Sequence, residues 1–137
     1  MIGSLSQVTL VVANQTDAAT FYTDKLGFEK RADEPMGEDN RWVTVAPPGG
    51  DVEIVLQSPD WFEGEEVVRR RSMIGESPEL AFAVDDCRET HETLTDRGVD
   101  FHTAPESVPW GVQAVAYDLY ENRLVLIERN DDGAGDE

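Results

Sequence analysis

Two copies of one pattern make up most of this chain. In the first copy, a strand-like segment at residues 5–12 (LSQVTLVV) is followed by a polar turn, a helix-like segment, a glycine and an aromatic residue. The second copy begins at residues 78–84 (PELAFAV) and repeats this order. The tripeptides TDK and TDR recur at an offset of 72 (from 23 to 95), and the segments EIVL and RLVL at an offset of 70 (from 53 to 123). Because this period is too long for a solenoid repeat, it predicts two copies of a small α/β module.

Each copy is interpreted as one βαβββ unit within a single α+β domain. Module one covers about residues 5–57, with a helix at 14–28 that Asn14 or Thr16 can cap and a turn at 34–40. Module two covers about residues 78–129, with a helix at 86–97 and a loop at 103–111. The acidic composition of residues 130–137 (NDDGAGDE) predicts a disordered tail.

A connector segment, residues 58–77, joins the two modules. Its GEEVVRRR stretch predicts a short helix and contains the basic cluster of the chain, Arg69, Arg70 and Arg71. One interpretation is a solvated linker whose arginines form local ion pairs with Glu65 and Glu66. The other is a lid, or a segment that contacts an anion. The sequence leaves both interpretations open.

The charge balance limits the partners of this chain. It has 29 acidic and 11 basic residues, which give a formal net charge of −18 at pH 7. Such a chain repels nucleic acid and anionic membrane surfaces, so we expect neither as a partner. Acidic residues spread over loops and helix faces favour a protein that stays soluble in concentrated salt. We therefore expect the cytoplasm of a halophile.

Hydropathy and cysteine content agree with a soluble cytoplasmic protein. No apolar run approaches the roughly 18 residues that a membrane-spanning helix needs, and no basic segment followed by an apolar stretch stands at residue 1. The single cysteine, Cys87, excludes an internal disulfide and a thiolate metal cluster. We expect Cys87 to be an ordinary residue of the turn before the second helix.

Side-chain alternation divides the predicted strands into two faces. One face is apolar throughout and would be covered by the helices: Val8, Leu10, Val12, Ile54, Leu56, Leu80, Phe82, Val84, Leu124 and Leu126. The opposite face mixes polar and small residues: Gln7, Thr9, Val11, Glu53, Val55, Gln57, Glu79, Ala81, Ala83, Arg123, Val125 and Ile127. In a single module this second face would be solvated. Two modules in one chain can instead wrap into a common curved sheet that encloses it.

The phrases VTLVVANQTDAATFYTDKLGFE and AVDDCRETHETLTDRGVDF, together with the duplicated βαβββ unit, resemble the vicinal-oxygen-chelate superfamily. That superfamily includes glyoxalase I, bleomycin-resistance proteins and extradiol dioxygenases. The resemblance extends over about residues 6–129. It implies paired modules that form a curved mixed sheet around a central cleft, with the helices on the outer face. In the enzymes of the family, a divalent metal in the cleft chelates the substrate and acts as a Lewis acid.

The resemblance also implies four metal-ligand positions, which fall on Gln7, Val55, Glu79 and Val125. Valine has no donor atom, so two of these positions cannot bind a metal. A one-residue shift of the alignment would bring in Glu53, at the cost of turning the first module out of step with the second. The family turn before the last strand is also altered, because only its first and last residues, Asp118 and Asn122, are retained. The resemblance therefore predicts no bound metal, although a divalent ion stays possible.

Histidine and tryptophan supply the other candidate site residues. His91 lies among polar residues of the second helix and is predicted to face solvent. His102 follows a strand and can reach the edge of the cleft. Trp42 and Trp110 occupy roughly matched places in the two halves and are candidates to stack a planar ligand. The predicted ligand pocket comprises Gln7, Trp42, Glu53, Glu79, His102, Trp110 and Arg123; no catalytic residue is assigned.

Three functions compete. The preferred hypothesis is metal-free binding of a small organic molecule in the cleft, as in bleomycin-resistance proteins. The alternative is a divalent-metal lyase, isomerase or dioxygenase that uses Gln7 and Glu79 with Glu53 or His102. A structural homodimer with a closed cleft is the third. Because modules pair across subunits in this family, we expect a homodimer.

Overall fold

The computed structural model describes residues 1–130, so the predicted tail lies, apart from Asn130, outside the described residues. The chain divides into two compact units, Met1–Ser77 and a second unit from Pro78 onward. Each unit contains one four-stranded mixed sheet. The α+β class with paired modules is confirmed.

In the first unit, four strands and two helices follow one another along the chain. The strands are β1 (Gln7–Val11), β2 (Glu29–Met36), β3 (Asn40–Ala46) and β4 (Glu53–Gln57). Helix α1 (Gln15–Thr20) continues as a π-helical turn, Phe21–Lys25, and a 3₁₀ turn, Pro59–Trp61, precedes helix α2 (Glu65–Arg71). The strand order is β1-β4-β3-β2, with β1 parallel to β4 and the other pairs antiparallel.

The second unit repeats this plan without a counterpart of α2. Its elements are β5 (Leu80–Ala83), α3 (Cys87–Asp96), β6 (Phe101–Val108), β7 (Gly111–Tyr117) and β8 (Arg123–Arg129). The order β5-β8-β7-β6 matches that of the first sheet. Val8 pairs with Ile54, and Leu80 pairs with Leu124. The duplicated sequence pattern therefore corresponds to the same register in both sheets.

Both module helices begin with a side-chain cap. The Asp17 amide donates a hydrogen bond of 2.8 Å to the side-chain oxygen of Asn14, and the Glu89 amide donates one of 2.9 Å to that of Asp86. Asn14, rather than Thr16, is thus the cap of α1. These bonds satisfy one of the amides that the first turn of a helix leaves unpaired.

The apolar sheet face lies under the helix in each unit. On the first sheet, Leu10, Val12, Ile54 and Leu56 are at most 2% exposed, and Tyr22 from the π-helical turn is 1% exposed. On the second sheet, Leu124 and Leu126 are buried, whereas Leu80, Phe82 and Val84 are half-buried. Burial of this surface is the main stabilising contribution to each module.

Two predicted connections prove to be strand. Strand β2 continues to Met36 through the predicted turn at 34–40, and β6 continues to Val108 through the predicted loop at 103–111. Pro35 and Pro105, which favoured a turn and a loop, lie in edge strands of the two sheets. Proline is tolerated there because an edge strand can leave one amide position unpaired.

Cys87 is not a turn residue. It is the first residue of α3 and is 0% exposed. Its amide donates to Glu128 Oε1 at 2.8 Å, and its Sγ lies 3.7 Å from the Leu126 carbonyl oxygen. Burial, the largest cause, raises the pKa of the thiol, with the Glu128 carboxylate acting in the same direction. Cys87 therefore packs as a small core residue between α3 and β8.

The altered turn between β7 and β8 is closed by the two family residues that it retains. Asp118 Oδ1 accepts from the amides of Tyr120 and Asn122, each at 2.9 Å, and Asp118 Oδ2 accepts from Asn122 Nδ2 at 3.0 Å. Asp118 is 5% exposed and Asn122 is 2% exposed. Retention of these two residues keeps the turn, although its middle residues differ from the family pattern.

Candidate functional site

In the first unit, Trp42 and Thr44 lie on the sheet face away from α1, which we call the distal face. The neighbouring Arg41 reaches the helix side, where its Nη1 donates to Thr16 Oγ1 at 2.9 Å. Because side chains alternate along a strand, Trp42 and Thr44 point the opposite way. Thr44 pairs with Val55, and Val55 pairs with Thr9, so these side chains share the distal face.

The connector segment packs on this distal face. The indole rings of Trp42 and Trp61 stack, with centroids 6.0 Å apart and an interplanar angle of 24°. We call these two rings the tryptophan platform. Arg69 and Arg70 form ion pairs with Glu66, as the linker interpretation of the sequence expected. The segment also contacts the sheet through Trp61, so it is more than a solvated linker.

Arg70 fixes the connector segment to the sheet. Its Nη1 donates to Gln57 Oε1 at 2.9 Å, and its Nε donates to Glu66 Oε2 at 2.6 Å. The guanidinium carbon also lies 4.4 Å from the centroid of the Phe62 ring, within the range of a cation–π interaction. Arg70 thus joins β4, α2 and the residue after the 3₁₀ turn in one cluster.

Two buried polar atoms beside this cluster have no hydrogen-bond partner among the described residues. They are Thr44 Oγ1 and Trp61 Nε1. Thr44 is 0% exposed. A buried polar group without a partner costs about 1–3 kcal/mol, so native proteins rarely retain one without a reason. Trp61 belongs to the tryptophan platform, and Thr44 lies on β3, the strand that carries Trp42.

Gln7 and Glu53 are brought together by the register of the first sheet. They are directly paired across the parallel strands β1 and β4. Gln7 is exposed and Glu53 is half-buried. Glu53 therefore lies on the distal face together with Val55, as side-chain alternation predicted.

In the second unit, Glu79 and Arg123 lie at the same end of the sheet. Glu79 precedes β5 and is exposed, and Arg123 is exposed and pairs with Tyr117. Val125 pairs with Ala81 and Val115, so its surroundings on the sheet are apolar.

His102 forms a hydrogen-bonded pair with Tyr117, a residue that the sequence argument missed. His102 Nδ1 lies 2.8 Å from the Tyr117 hydroxyl oxygen. The register of β6 shifts between Phe101 and Thr103, and that of β2 shifts between Lys30 and Ala32, so the two modules carry a bulge at matching places. Such bulges redirect a side chain and occur often near functional sites.

The other histidine, His91, is half-buried, and its ring centroid lies 4.5 Å from that of Phe101. The prediction that His91 faces solvent is therefore only partly met.

Trp110 is not the counterpart of Trp42. Val55 pairs with Thr44 and Val125 pairs with Val115, which makes Gln113 the residue that matches Trp42. Trp110 precedes β7, is 48% exposed, and donates from Nε1 to Gln113 Oε1 at 3.1 Å. Stacking therefore has a structural basis at Trp42 but not at the predicted matching position.

The residues do not fit the divalent metal that the resemblance implied. Within residues 1–130, no three His, Cys, Asp or Glu side chains are grouped so that they could hold a metal ion. A catalytic divalent ion generally needs about three protein ligands. Val55 and Val125 supply none, and Gln7 beside Glu53 supplies two. We therefore derive no chemical step through a metal.

The chain was compared with known proteins at the level of sequence and of structure. The family model of the Glyoxalase/Bleomycin resistance protein/Dioxygenase superfamily matches residues 4–126. The uncharacterized protein YetH of Bacillus subtilis (strain 168) is 31% identical over 128 residues, which cover 93% of this chain and 100% of YetH.

Two solved structures have the same fold, and their sequence identity to this chain is similar to or higher than that of YetH. UcmS2 is 35% identical, with a TM-score of 0.82 over 93% of this chain and 99% of that chain. TnmS3, an antibiotic binding protein from Streptomyces sp. CB03234, is 32% identical, with a TM-score of 0.77 over 94% of this chain and 98% of that chain.

Proposed function

This chain belongs to the Glyoxalase/Bleomycin resistance protein/Dioxygenase superfamily, and we propose that it binds a small planar organic molecule at the tryptophan platform without a metal ion. The observation that carries the proposal is the stacked pair of Trp42 and Trp61 on the distal face. Aromatic faces provide large apolar area with defined geometry, and small-molecule sites are lined mainly by such side chains.

Two further observations support this proposal. The similar protein TnmS3 is an antibiotic binding protein, which gives one precedent for small-molecule binding on this fold. The valines at two family metal positions leave the chain without the donor set of the metalloenzymes. Binding without a Lewis acid requires only shape, apolar contact and a few polar groups.

The proposal is tested by equilibrium dialysis of chelator-treated protein against a panel of neutral planar aromatics. We expect Trp42→Leu to weaken binding by about fivefold or more, because an aromatic stacking surface contributes on the order of 1 kcal/mol beyond its buried area. Trp110→Leu is the matched control, since Trp110 lies in the second unit beside Gln113. Equal losses in both variants, or no binding by the unchanged protein, would contradict the proposal.

We also propose that the protein is a homodimer. Several large apolar side chains are exposed in the described part of the chain, including Ile2, Leu5, Val68 and Trp110. Exposed apolar side chains mark an interface where they form a contiguous patch, which a second copy of the chain would cover. Light scattering coupled to gel filtration tests this proposal, and a monomeric mass at micromolar concentration would contradict it.

The proposed setting is the cytoplasm of a halophile, supported by the net charge of −18. High salt shortens the screening length to about 3 Å at 1 M and so reduces repulsion among the carboxylates. The melting temperature should therefore rise by several degrees between low and molar KCl. A melting temperature independent of KCl would argue against this setting. No helix among residues 1–130 is long and apolar enough to cross a membrane.

A further inference from the structure

The indole N–H of Trp61 is a buried donor without an acceptor among residues 1–130. An indole nitrogen can only donate a hydrogen bond, so the missing partner must be an acceptor. The ring cannot turn freely to find one, because it is stacked on Trp42. The stacking therefore holds this N–H in one direction, and residues 1–130 supply no acceptor for it.

Thr44 adds a second unpartnered group on the same side of the first sheet. Its hydroxyl oxygen is buried and has no partner among the described residues. A hydroxyl can both donate and accept, so Thr44 is compatible with an acceptor on a ligand but does not by itself demand one. The requirement that the missing partner be a hydrogen-bond acceptor therefore comes from Trp61.

We propose that Trp61 is a specificity-determining residue, and that its indole N–H selects planar ligands that carry a hydrogen-bond acceptor such as a carbonyl oxygen. This inference rests on the proposed function and names its ligand class. The ring of the ligand stacks at the tryptophan platform while its acceptor receives the Trp61 N–H. A ligand without an acceptor would leave that donor buried and unpaired, which is the usual basis of strong discrimination by buried polar groups.

Binding in this manner requires a movement of the connector segment. The Trp61 nitrogen has essentially no accessible surface. Helix α2 is held on the sheet by the bond from Arg70 to Gln57, and the 3₁₀ turn Pro59–Trp61 is tied to α2 by the exposed bond of 3.2 Å from Arg71 Nη2 to Asp60 Oδ1. A small displacement of the turn that breaks this exposed bond can uncover the N–H while Arg70 keeps the helix on the sheet.

The test compares two probes that share a ring framework and differ in one carbonyl, 9-fluorenone and fluorene. Their affinities for the full chain are measured by equilibrium dialysis, with the unchanged protein and with Trp61→Phe, which retains an aromatic ring but has no N–H. We expect the variant to lose about tenfold more affinity for 9-fluorenone than for fluorene, because both probes lose the same stacking area and only 9-fluorenone also loses a hydrogen bond.

Urea unfolding serves as the control for folding. Trp61→Phe removes an unpaired buried donor but also part of the ring stacked on Trp42, two effects of opposite sign. A cooperative unfolding transition with a midpoint near that of the unchanged protein, in the absence of probe, shows that the variant is folded. Unchanged 9-fluorenone affinity in Trp61→Phe, equal losses for both probes, or a loss confined to Thr44→Val would overturn the role of Trp61 and leave the proposed function standing. Failure of the unchanged protein to bind either probe would overturn both proposals.

Discussion

At the scale of single residues, the turn between β7 and β8 holds an avoidable strain. Among the described residues other than glycine, Glu121 alone has a positive φ, of 68°. This left-handed conformation costs a residue with a Cβ about 1–2 kcal/mol, whereas glycine adopts it readily. Asp118 and Asn122 close the turn through their own bonds, so the side chain of Glu121 is not needed for closure.

We therefore expect Glu121→Gly to increase the free energy of unfolding by about 0.5–1 kcal/mol, after the greater flexibility of glycine in the unfolded chain is subtracted. Urea denaturation measures this change. Glu121→Ala is the control, because it removes the same charge but keeps the strain. A gain of equal size in Glu121→Ala would assign the effect to charge rather than to the backbone.

Asp33 gives a second prediction at this scale, for the dependence of stability on pH. Hydrogen bonds from Arg41 and then Lys30 lower the pKa of Asp33 from 3.8 to about 2. A carboxyl with a lowered pKa stabilises the fold fully above its unfolded pKa, and this contribution is lost as the pH falls through the folded pKa. The relevant window therefore runs from about pH 4 to pH 2.

We expect Asp33→Asn to be less stable than the unchanged protein by at most about 1 kcal/mol near pH 5, because partly exposed ion pairs are screened by solvent. The difference should disappear toward about pH 2, where Asp33 itself becomes protonated. Urea midpoints of the two proteins across this range provide the measurement. If the urea midpoints of the two proteins differ by the same amount at every pH, ionisation of Asp33 makes no such contribution to stability.

At the scale of elements, the hairpin between β6 and β7 depends on a glycine. Gly111 is buried and has a φ of 149°. A Cβ at this position would overlap the carbonyl oxygen of Glu128 on β8 and lie 3.0 Å from the Arg129 Cα. Because both obstacles are backbone atoms of the neighbouring strand, they can move away only if the β7–β8 pairing is disturbed.

Gly111→Ala should accordingly reduce the free energy of unfolding by more than about 3 kcal/mol, as expected for a clash combined with an unfavourable φ. Gly37→Ala is a matched control in the corresponding hairpin of the first module, where φ is 77° and a Cβ would meet nothing within 4 Å. That variant should lose only about 1 kcal/mol. Similar losses in both variants would contradict the steric argument.

The same scale explains which elements could be predicted. The sequence offers Asn14 as one of two candidate caps for α1 and predicts that α3 begins at about Asp86. The contact between Trp42 and Trp61 could not be predicted, because Trp61 comes from a connector segment with no periodic pattern. The His102–Tyr117 bond depends on a bulge and on strand register, and neither is encoded by local composition.

At the scale of the whole molecule, the sequence duplication predicted the two-module fold. The offsets of 72 and 70 in the sequence reappear as equivalent parallel pairs, Val8 with Ile54 and Leu80 with Leu124. The predicted match of Trp42 with Trp110 was wrong, because those residues are only 68 apart, whereas strand register relates β3 to β7 by an offset of 71, from Thr44 to Val115. That offset, applied strictly, would have given Gln113.

The measurement that tests the central claim most directly is the affinity of the full chain for 9-fluorenone after chelator treatment and again after addition of manganese, nickel, zinc or iron(II). Two of the four family metal positions are valines, Val55 and Val125, which have no donor atom, so too few ligands remain for a tightly held divalent ion. We therefore predict the same dissociation constant, within about twofold, under all five conditions. Binding that appears only when one of these metals is added would contradict metal-free recognition at the tryptophan platform.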